Sequence, residues 1–275
     1  MDLQELLSRA GDLSVPQQRR VAAIVGSLVA DAAAQPIHWV YQGMESVLDG
    51  LEHPEFRPTS ANPFYCIPTG LQSPYGDQLI TMLESLVANK GFNAADSAEK
   101  MVAAFGPGSP YDNGGPQGYS KGMKDKSMYP IKSKWRNFVL NRFLKYFATG
   151  ETLESNIDDD DTNVDPDNIV RLIALVALYA GTPHMLETAE HAAQQLQAND
   201  MIITIILAAC RIVESFILHG ELSIEDHLNS VIGELKSSSR VHPQPLDLAV
   251  AGHLQAALDA KNLDVQSATT KFGKA

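Results

Sequence analysis

Two aspartates lie where apolar stretches of the chain meet turns, and their carboxylates are the first candidates for chemistry. Asp31 falls late in "GSLVADAAAQPIHWVY", where a core-facing carboxylate is costly unless it is paired, hydrogen-bonded or metal-bound. Asp77 follows the turn "SPYG" and opens an apolar helical segment. The pattern alone favours ordinary structural roles: Asp31 can face solvent or bond to the chain near Pro36, and Asp77 can cap the helix that it opens.

Two clusters of charge accompany these aspartates. The acidic run "DDDDT" at 158–162 could bind a hard cation, but it lacks the glycine and glutamate positions of an EF-hand loop, so a solvated turn is favoured. A basic cluster in and beside the glycine-rich segment 106–130 could attract a phosphate group, although an ordinary exposed surface is the simpler explanation. Its members are Lys121, Lys124, Lys126, Lys132, Lys134 and Arg136.

Three histidines, His38, His184 and His191, could act as bases or ligands. None of them belongs to a His-x-x-x-His pair that would place two rings on one helical face. The chain also has no Gly-x-Ser-x-Gly elbow, no Walker loop and no dinucleotide fingerprint. Hydrolysis by a serine triad and nucleotide binding by those motifs are therefore unsupported.

The elements that must position these residues are predicted to be helices, because apolar residues recur at helical spacing and no strand-type alternation is sustained. Segments 43–76 and 106–130 are rich in Gly and Pro and are predicted loops, the second a functional lid or a disordered segment. We expect one all-α domain over residues 1–275. The predicted helices are 17–34, 78–90, 94–105, 132–148, 169–180, 185–197, 201–219, 224–236, 245–259 and 264–272. Helices 169–180 and 201–219 are apolar on nearly every side and should be central.

The composition excludes some partners. A net charge of −12 would repel a nucleic-acid backbone. The two cysteines, Cys66 and Cys210, have no metal-ligand spacing and indicate a reduced, cytoplasmic compartment. The N-terminus is too polar for a signal peptide, and the apolar run 201–219 is interrupted by Arg211 and Glu214, which favours a core helix over a membrane span.

These segments together resemble the ADP-ribosylglycohydrolase family. That family has an apolar helix with Gly-x-x-x-Gly-Asp-Ala, followed by Gly-x-Pro-x-Glu. The matching stretch here, "GSLVADAAAQPIH", keeps Gly26, Asp31, Ala32 and Pro36 and carries His38 at the glutamate position. The resemblance extends over nearly the whole chain.

A second family motif, Thr-Asp-Asp, opens a later helix. Here it reads "YGDQ", so Tyr75 and Gly76 replace the first two residues and only Asp77 is kept. Arg171 in the central helix also fits the family. The phrases "QPIHW", "SPYGDQ", "DLAVAGHL" and "KFGKA" resemble the branch that contains J1 crystallins and selenoprotein J.

The resemblance implies an all-α, orthogonal helical bundle around a central cleft. In active members, two magnesium ions are held by the Thr-Asp-Asp motif and by a C-terminal Asp-x-Asp motif, and they position ADP-ribose and the attacking water. Carried over, it assigns Asp77 as a metal ligand and His38 and Asp31 as catalytic residues. It assigns ligand contacts to Gly114, Gly115, Tyr119 and Asn168.

The departures from the family pattern decide the functional prediction. The C-terminal metal motif is not found, so we expect the domain to lack that segment, and magnesium to be absent or vestigial. We predict a catalytically impaired protein with a structural role or an ADP-ribose-like small-molecule ligand. The alternative is an active magnesium-dependent hydrolase that uses Asp31, Asp77 and the acidic turn. A homo-oligomer is a further expectation, since missing helices would leave apolar surface exposed.

Overall fold

The computed structural model describes residues 8–40, 55–113, 129–151 and 169–272, together with residues 47, 49 and 166; within these, the side chains of residues 265, 266 and 269 are excepted. Its helices are α1 (Val15–Ala34), α2 (Pro74–Asn89), α3 (Ala94–Phe105), α4 (Phe138–Thr149), α5 (Ile169–Tyr179), α6 (Met185–Gln194), α7 (Asp200–Leu218), α8 (Ile224–Lys236), α9 (Asp247–Asp259) and α10 (Val265–Phe272). A 3-10 turn, Gln35–Ile37, follows α1. The described residues form no strand, which confirms the predicted all-α class.

Most helix bounds agree with the sequence prediction. The helices predicted at 17–34, 94–105, 169–180, 201–219 and 224–236 are confirmed to within two residues. Several starts have a side-chain cap, because a short polar side chain there accepts a backbone N–H that the helix leaves unpaired. The capping residues of α3, α4, α7 and α8 are Asn93, Asn137, Asn199 and Ser223.

The predicted helix 132–148 is wrong at its start. Helix α4 begins only at Phe138, and residues 131–137 are irregular. Ile131 forms an isolated parallel bridge with Tyr65: the Ile131 N–H donates to the carbonyl of Phe64 at 3.0 Å, and the Cys66 N–H donates to the carbonyl of Ile131 at 2.8 Å. This pairing with a distant loop replaces the helical hydrogen bonds that local propensity favoured.

Helix α5 lies at the centre, where it contacts α1, α2, α6 and α7. Leu172 and Leu175 of α5 and Ile206 of α7 are fully buried. Burying one such side chain contributes about 1.5–3 kcal/mol, so this cluster is a large part of the driving force for folding. The prediction that segments 169–180 and 201–219 are central is confirmed.

One charged side chain lies inside this core. Arg171 of α5 is 1% exposed, and its guanidinium donates hydrogen bonds to the carbonyl of Ala192 and to Gln195 Oε1 at the end of α6. Burial lowers the pKa of Arg171 to about 9. Carbonyls at a helix C-terminus lack intrahelical donors, so Arg171 ties α5 to the end of α6.

Two segments of the described chain are long and apolar enough to cross a membrane by length and composition, Val15–Ile37 and Asp200–Leu218. Core helices of soluble proteins pass the same test, and half of the second segment's apolar window is buried against other helices. On α1, by contrast, Val21, Val25 and Val29 form an exposed stripe at a spacing of four residues. The absence of a membrane partner stays a prediction.

Candidate functional site

The start of α2 brings the two candidate aspartates together. The Asp31 carboxylate, at the end of α1, accepts the backbone N–H of Ser73 at 2.8 Å and also the Ser73 hydroxyl. Both ordinary explanations of Asp31 were therefore wrong: the half-buried carboxylate neither faces solvent freely nor bonds near Pro36. Its partner lies 42 residues away in the sequence.

Gly76 is what allows this approach. A Cβ atom built on Gly76 would overlap the Asp31 carboxylate and the side-chain oxygen of Gln72. The Thr-Asp-Asp motif has an aspartate at the position of Gly76. Here the Asp31 side chain occupies the space that a side chain at position 76 would need. Burial raises the pKa of the Asp31 carboxyl; the Ser73 hydrogen bonds oppose that rise, and the charge of Asp77 adds to it.

Asp77 lies in the first turn of α2 and is bound by side chains from two loops. Its Oδ2 accepts the hydroxyl of Tyr111 at 2.7 Å and forms an ion pair with Lys134 Nζ. The predicted cap role of Asp77 is wrong, because Ser73 is the N-cap and its Oγ accepts the N–H of Tyr75 at 3.1 Å. The Asp77 carboxylate instead bonds to the loop side chains Tyr111 and Lys134.

Tyr111 keeps its proton and donates a hydrogen bond to Asp77 in this arrangement. Its ring is buried, and burial together with the neighbouring Asp77 charge holds the pKa of its hydroxyl well above the usual value. The Lys134 ammonium lies 5.3 Å from the centre of the same ring, within the range of a cation–π contact. Tyr111, Lys134 and Asp77 therefore form one connected cluster.

His38 lies beside the cluster, at the end of the 3-10 turn. Its ring centroid is 5.2 Å from that of Tyr75, and its Nδ1 is 3.5 Å from the hydroxyl of Tyr65. Burial lowers the pKa of His38 to about 4, so the ring is neutral at neutral pH. A neutral imidazole can accept a hydrogen bond, but with this pKa it is a weak general base.

An aromatic wall completes the site. Trp135 is fully buried and stacks on Phe64 and Tyr65, with ring centroids 5.2 and 6.0 Å apart. The ring of Trp39 meets that of Trp135 edge to face at 6.1 Å. The Tyr65–Ile131 bridge fixes this wall, so the segment mistaken for a helix start is a structural part of the site.

Several predicted site residues cannot be compared with this cluster, because they fall outside the described part of the chain. Gly114, Gly115, Tyr119 and Asn168 lie outside the described residues, as does the acidic run 158–162. His184 and His191 are exposed on or next to α6. Their assigned roles stay predictions.

The basic cluster is only partly described, and its described members diverge. Lys134 turns inward to Asp77, the Arg136 guanidinium donates to the carbonyl of Phe105 at 2.9 Å, and Lys132 is exposed. Lys121, Lys124 and Lys126 lie outside the described residues. Lys134 was considered only as a member of this basic cluster, and Tyr111 and the aromatic wall were missed as site residues. The signal in the sequence was the density of aromatic residues in and beside the predicted loops.

The donor set that the described residues bring to this cluster does not fit a pair of magnesium ions. Each such ion gathers about six oxygen ligands, most of them from carboxylates and water. Within the described ranges, no group of three or more His, Cys, Asp or Glu side chains is placed to hold a metal ion. The two carboxylates present, Asp31 and Asp77, already accept bonds from protein groups.

Comparisons with known proteins agree with the resemblance seen in the sequence. The family model for ADP-ribosylglycohydrolase matches residues 13–273. Crystallin J1A of Tripedalia cystophora is 35% identical over 207 residues, which are 74% of this chain and 60% of that protein. Crystallin J1B of the same organism is 34% identical over 206 residues, with the same coverage. The chain thus matches about three fifths of the length of these relatives.

Proposed function

The chain belongs to the ADP-ribosylglycohydrolase family, and from that premise we propose that it is a catalytically impaired member with a structural or ligand-binding role. The proposal rests on the hydrogen bonds and the ion pair of Asp31 and Asp77, here called the acidic pair. Asp31 is held by Ser73, and Asp77 is held by Lys134 and Tyr111. Few carboxylate oxygens are left for the two hard cations that the family's hydrolysis requires.

The proposed ligand is an ADP-ribose-like small molecule bound without a metal. The half-buried rings of Trp39 and Phe64 belong to the aromatic wall around Trp135, the residue next to Lys134. They support this proposal, because aromatic faces stack on planar heterocycles. The relatives named Crystallin J1A and J1B support the structural side of the proposal.

Hydrolysis and binding assays test the proposal. We expect no turnover of an ADP-ribosylated peptide in magnesium by the parent chain, the Asp77→Ala variant or a surface control, Asp12→Ala. Calorimetry with ADP-ribose is expected to give the same affinity in magnesium and in a chelator. Magnesium-dependent turnover that Asp77→Ala abolishes and Asp12→Ala retains would overturn the proposal. The absence of any ADP-ribose binding would leave only the structural role.

One observation favours a second candidate, an active magnesium-dependent ADP-ribosyl hydrolase. Asp77 lies close enough to Asp31 for its negative charge to contribute to the raised pKa of the Asp31 carboxyl. Two carboxylates with different environments are the usual basis of acid–base work on a glycosidic bond. The same turnover assay decides between the candidates, since only the hydrolase forms product, and forms it only with Asp77 in place.

Three further properties stay predictions: a cytoplasmic location, the absence of nucleic-acid and membrane partners, and a homo-oligomeric state. The location rests on the two cysteines without metal spacing, the absence of a nucleic-acid partner on the net charge of −12, and the absence of a membrane span on Arg211 and Glu214 in the apolar run 201–219.

A further inference from the structure

We infer that Lys134 is a tethered cation that takes the place of a divalent metal at the acidic pair. The inference deepens the proposed function and rests on it: the family scaffold is kept without metal chemistry because a lysine of the chain itself compensates the carboxylates. Lys134 reaches Asp77 from a loop 57 residues away in the sequence.

The backbone around Lys134 is fixed on both sides. Ile131 is bridged to Tyr65, and the neighbouring Trp135 is buried in the aromatic wall. The Asn113 side chain donates to the carbonyl of Lys134 itself at 2.7 Å. A lysine held this way loses less conformational freedom on pairing than a surface lysine, whose long side chain must be ordered by the ion pair alone.

The ion pair is largely removed from water. The side chains of Lys134 and Asp77 are 26% and 21% exposed, and the Tyr111 ring covers the ammonium at 5.3 Å. Solvent and salt screen such a pair less than one on the open surface. Removing the lysine would therefore leave the Asp77 carboxylate partly buried and close to the Asp31 carboxylate, without the ammonium that pairs with it here.

An ammonium group can do only part of what a metal does. It is a compact point charge with three N–H donors, so it neutralises and orients the Asp77 carboxylate. It offers no open coordination position, so it cannot bind and acidify a water as a divalent metal can. Replacing the metal by Lys134 therefore preserves the geometry of the cleft and removes the means of generating a nucleophile.

Divalent-cation rescue of a lysine variant tests this inference. In a chelator, Lys134→Met is expected to lower the midpoint of thermal unfolding of the full chain by about 2–5 °C. Magnesium at about 10 mM should restore most of that loss, because a ligand that binds only the folded state stabilises it. Sodium chloride at matched ionic strength should not. The parent chain should not respond specifically to magnesium.

Two controls separate the site from general charge effects. Lys132→Met removes an exposed lysine two residues away and should melt like the parent, with or without magnesium. The double variant Asp77→Asn/Lys134→Met removes both charges, so the magnesium response should disappear. Lys134→Arg keeps the positive charge and should behave like the parent. If Lys134→Met fails to fold, magnesium titrations of the parent and of Lys134→Arg by calorimetry test the inference instead. Neither protein should bind magnesium.

The inference is overturned if Lys134→Met melts like the parent, or if magnesium raises its midpoint no more than sodium chloride does. Saturable magnesium binding by the parent or by Lys134→Arg overturns it as well. These readouts are independent of turnover. Magnesium binding by the parent without hydrolysis refutes the tethered cation alone, whereas hydrolysis by a parent that ignores magnesium refutes the proposed function alone.

Discussion

The bundle centre around α5 and α7 is held by apolar side chains of regular helices, whereas the acidic pair is held by polar side chains from loops. Leu172, Leu175 and Ile206 are each fully buried among many similar neighbours. Asp77, by contrast, depends on Tyr111 and Lys134, which lie 34 and 57 residues away in the sequence. The bundle centre draws its stability from many apolar contacts, and the acidic cluster draws its geometry from a few specific ones.

Under the proposed function, this difference explains how a family scaffold can persist after its metal ligands change. The apolar contacts of α5 with α1, α2, α6 and α7 do not involve the carboxylates. Substitutions at Tyr75 and Gly76 therefore alter the chemistry of the cleft without removing the main source of stability. Four ways to break or sharpen the comparison follow, from the largest expected effect to the smallest.

The largest effect is expected in the bundle centre. Leu175→Ala leaves a cavity at a fully buried position of α5 and should lower the free energy of unfolding by about 2.5–5 kcal/mol. Leu178→Ala, on the same helix but 47% exposed, should cost less than about 1 kcal/mol. Urea unfolding of both variants measures the difference. Equal losses would show that α5 is not the centre of the core.

A pH effect on stability is expected from the buried His38 beside the acidic pair. Burial lowers the His38 pKa from 6.5 to about 4, so the unfolded chain binds more protons between these values and stability falls as the pH drops from 6.5 to 4. His38→Gln should remove a part of that loss on the order of 3 kcal/mol. Unfolding curves across this range test it, with the exposed His184→Gln as the control. Parallel curves for parent and His38→Gln would contradict the burial of His38.

The stability of the protein should respond in opposite directions to substitution of two glycines that lie at positions of the family motifs. Gly76→Ala places a methyl group on the Asp31 carboxylate and Gln72, and should destabilise by about 1–3 kcal/mol. Gly26→Ala, in the middle of α1 with open space around it, should stabilise by about 0.5–1 kcal/mol. Both are measured by chemical denaturation. A neutral Gly76→Ala would mean that Asp31 does not fill the space beside α2.

The same two regions show what the sequence could reveal. Helical periodicity located α3, α5 and α7 to within a residue, because an apolar face is a local property of the chain. The start of α4 could not be found in this way, because Ile131, in the segment before it, pairs with Tyr65 instead of forming a helix. Local pattern cannot report a contact whose partner is a loop 66 residues earlier.

The site was predictable only in part for the same reason. The resemblance placed Asp31, His38 and Asp77 in one cleft, and the structure brings the first two to the start of α2 beside the third. The partners of Asp77 were missed, because Tyr111 lies in a glycine-rich segment and Lys134 was assigned to a surface cluster. A capping role was inferred for Asp77 because the sequence shows a helix start but not a side chain's direction.

The last test concerns the contacts of Asp31 and Asp77 themselves and involves no loss of stability. The central claim is that protein groups, not metal, satisfy Asp31 and Asp77. Manganese takes the same oxygen ligands as magnesium and scatters anomalously, so diffraction from crystals of the parent chain soaked in manganese tests the claim most directly. We predict the Lys134 ammonium on Asp77 and no anomalous peak at the pair. A manganese peak bonded to Asp77, with Lys134 displaced, would contradict the account.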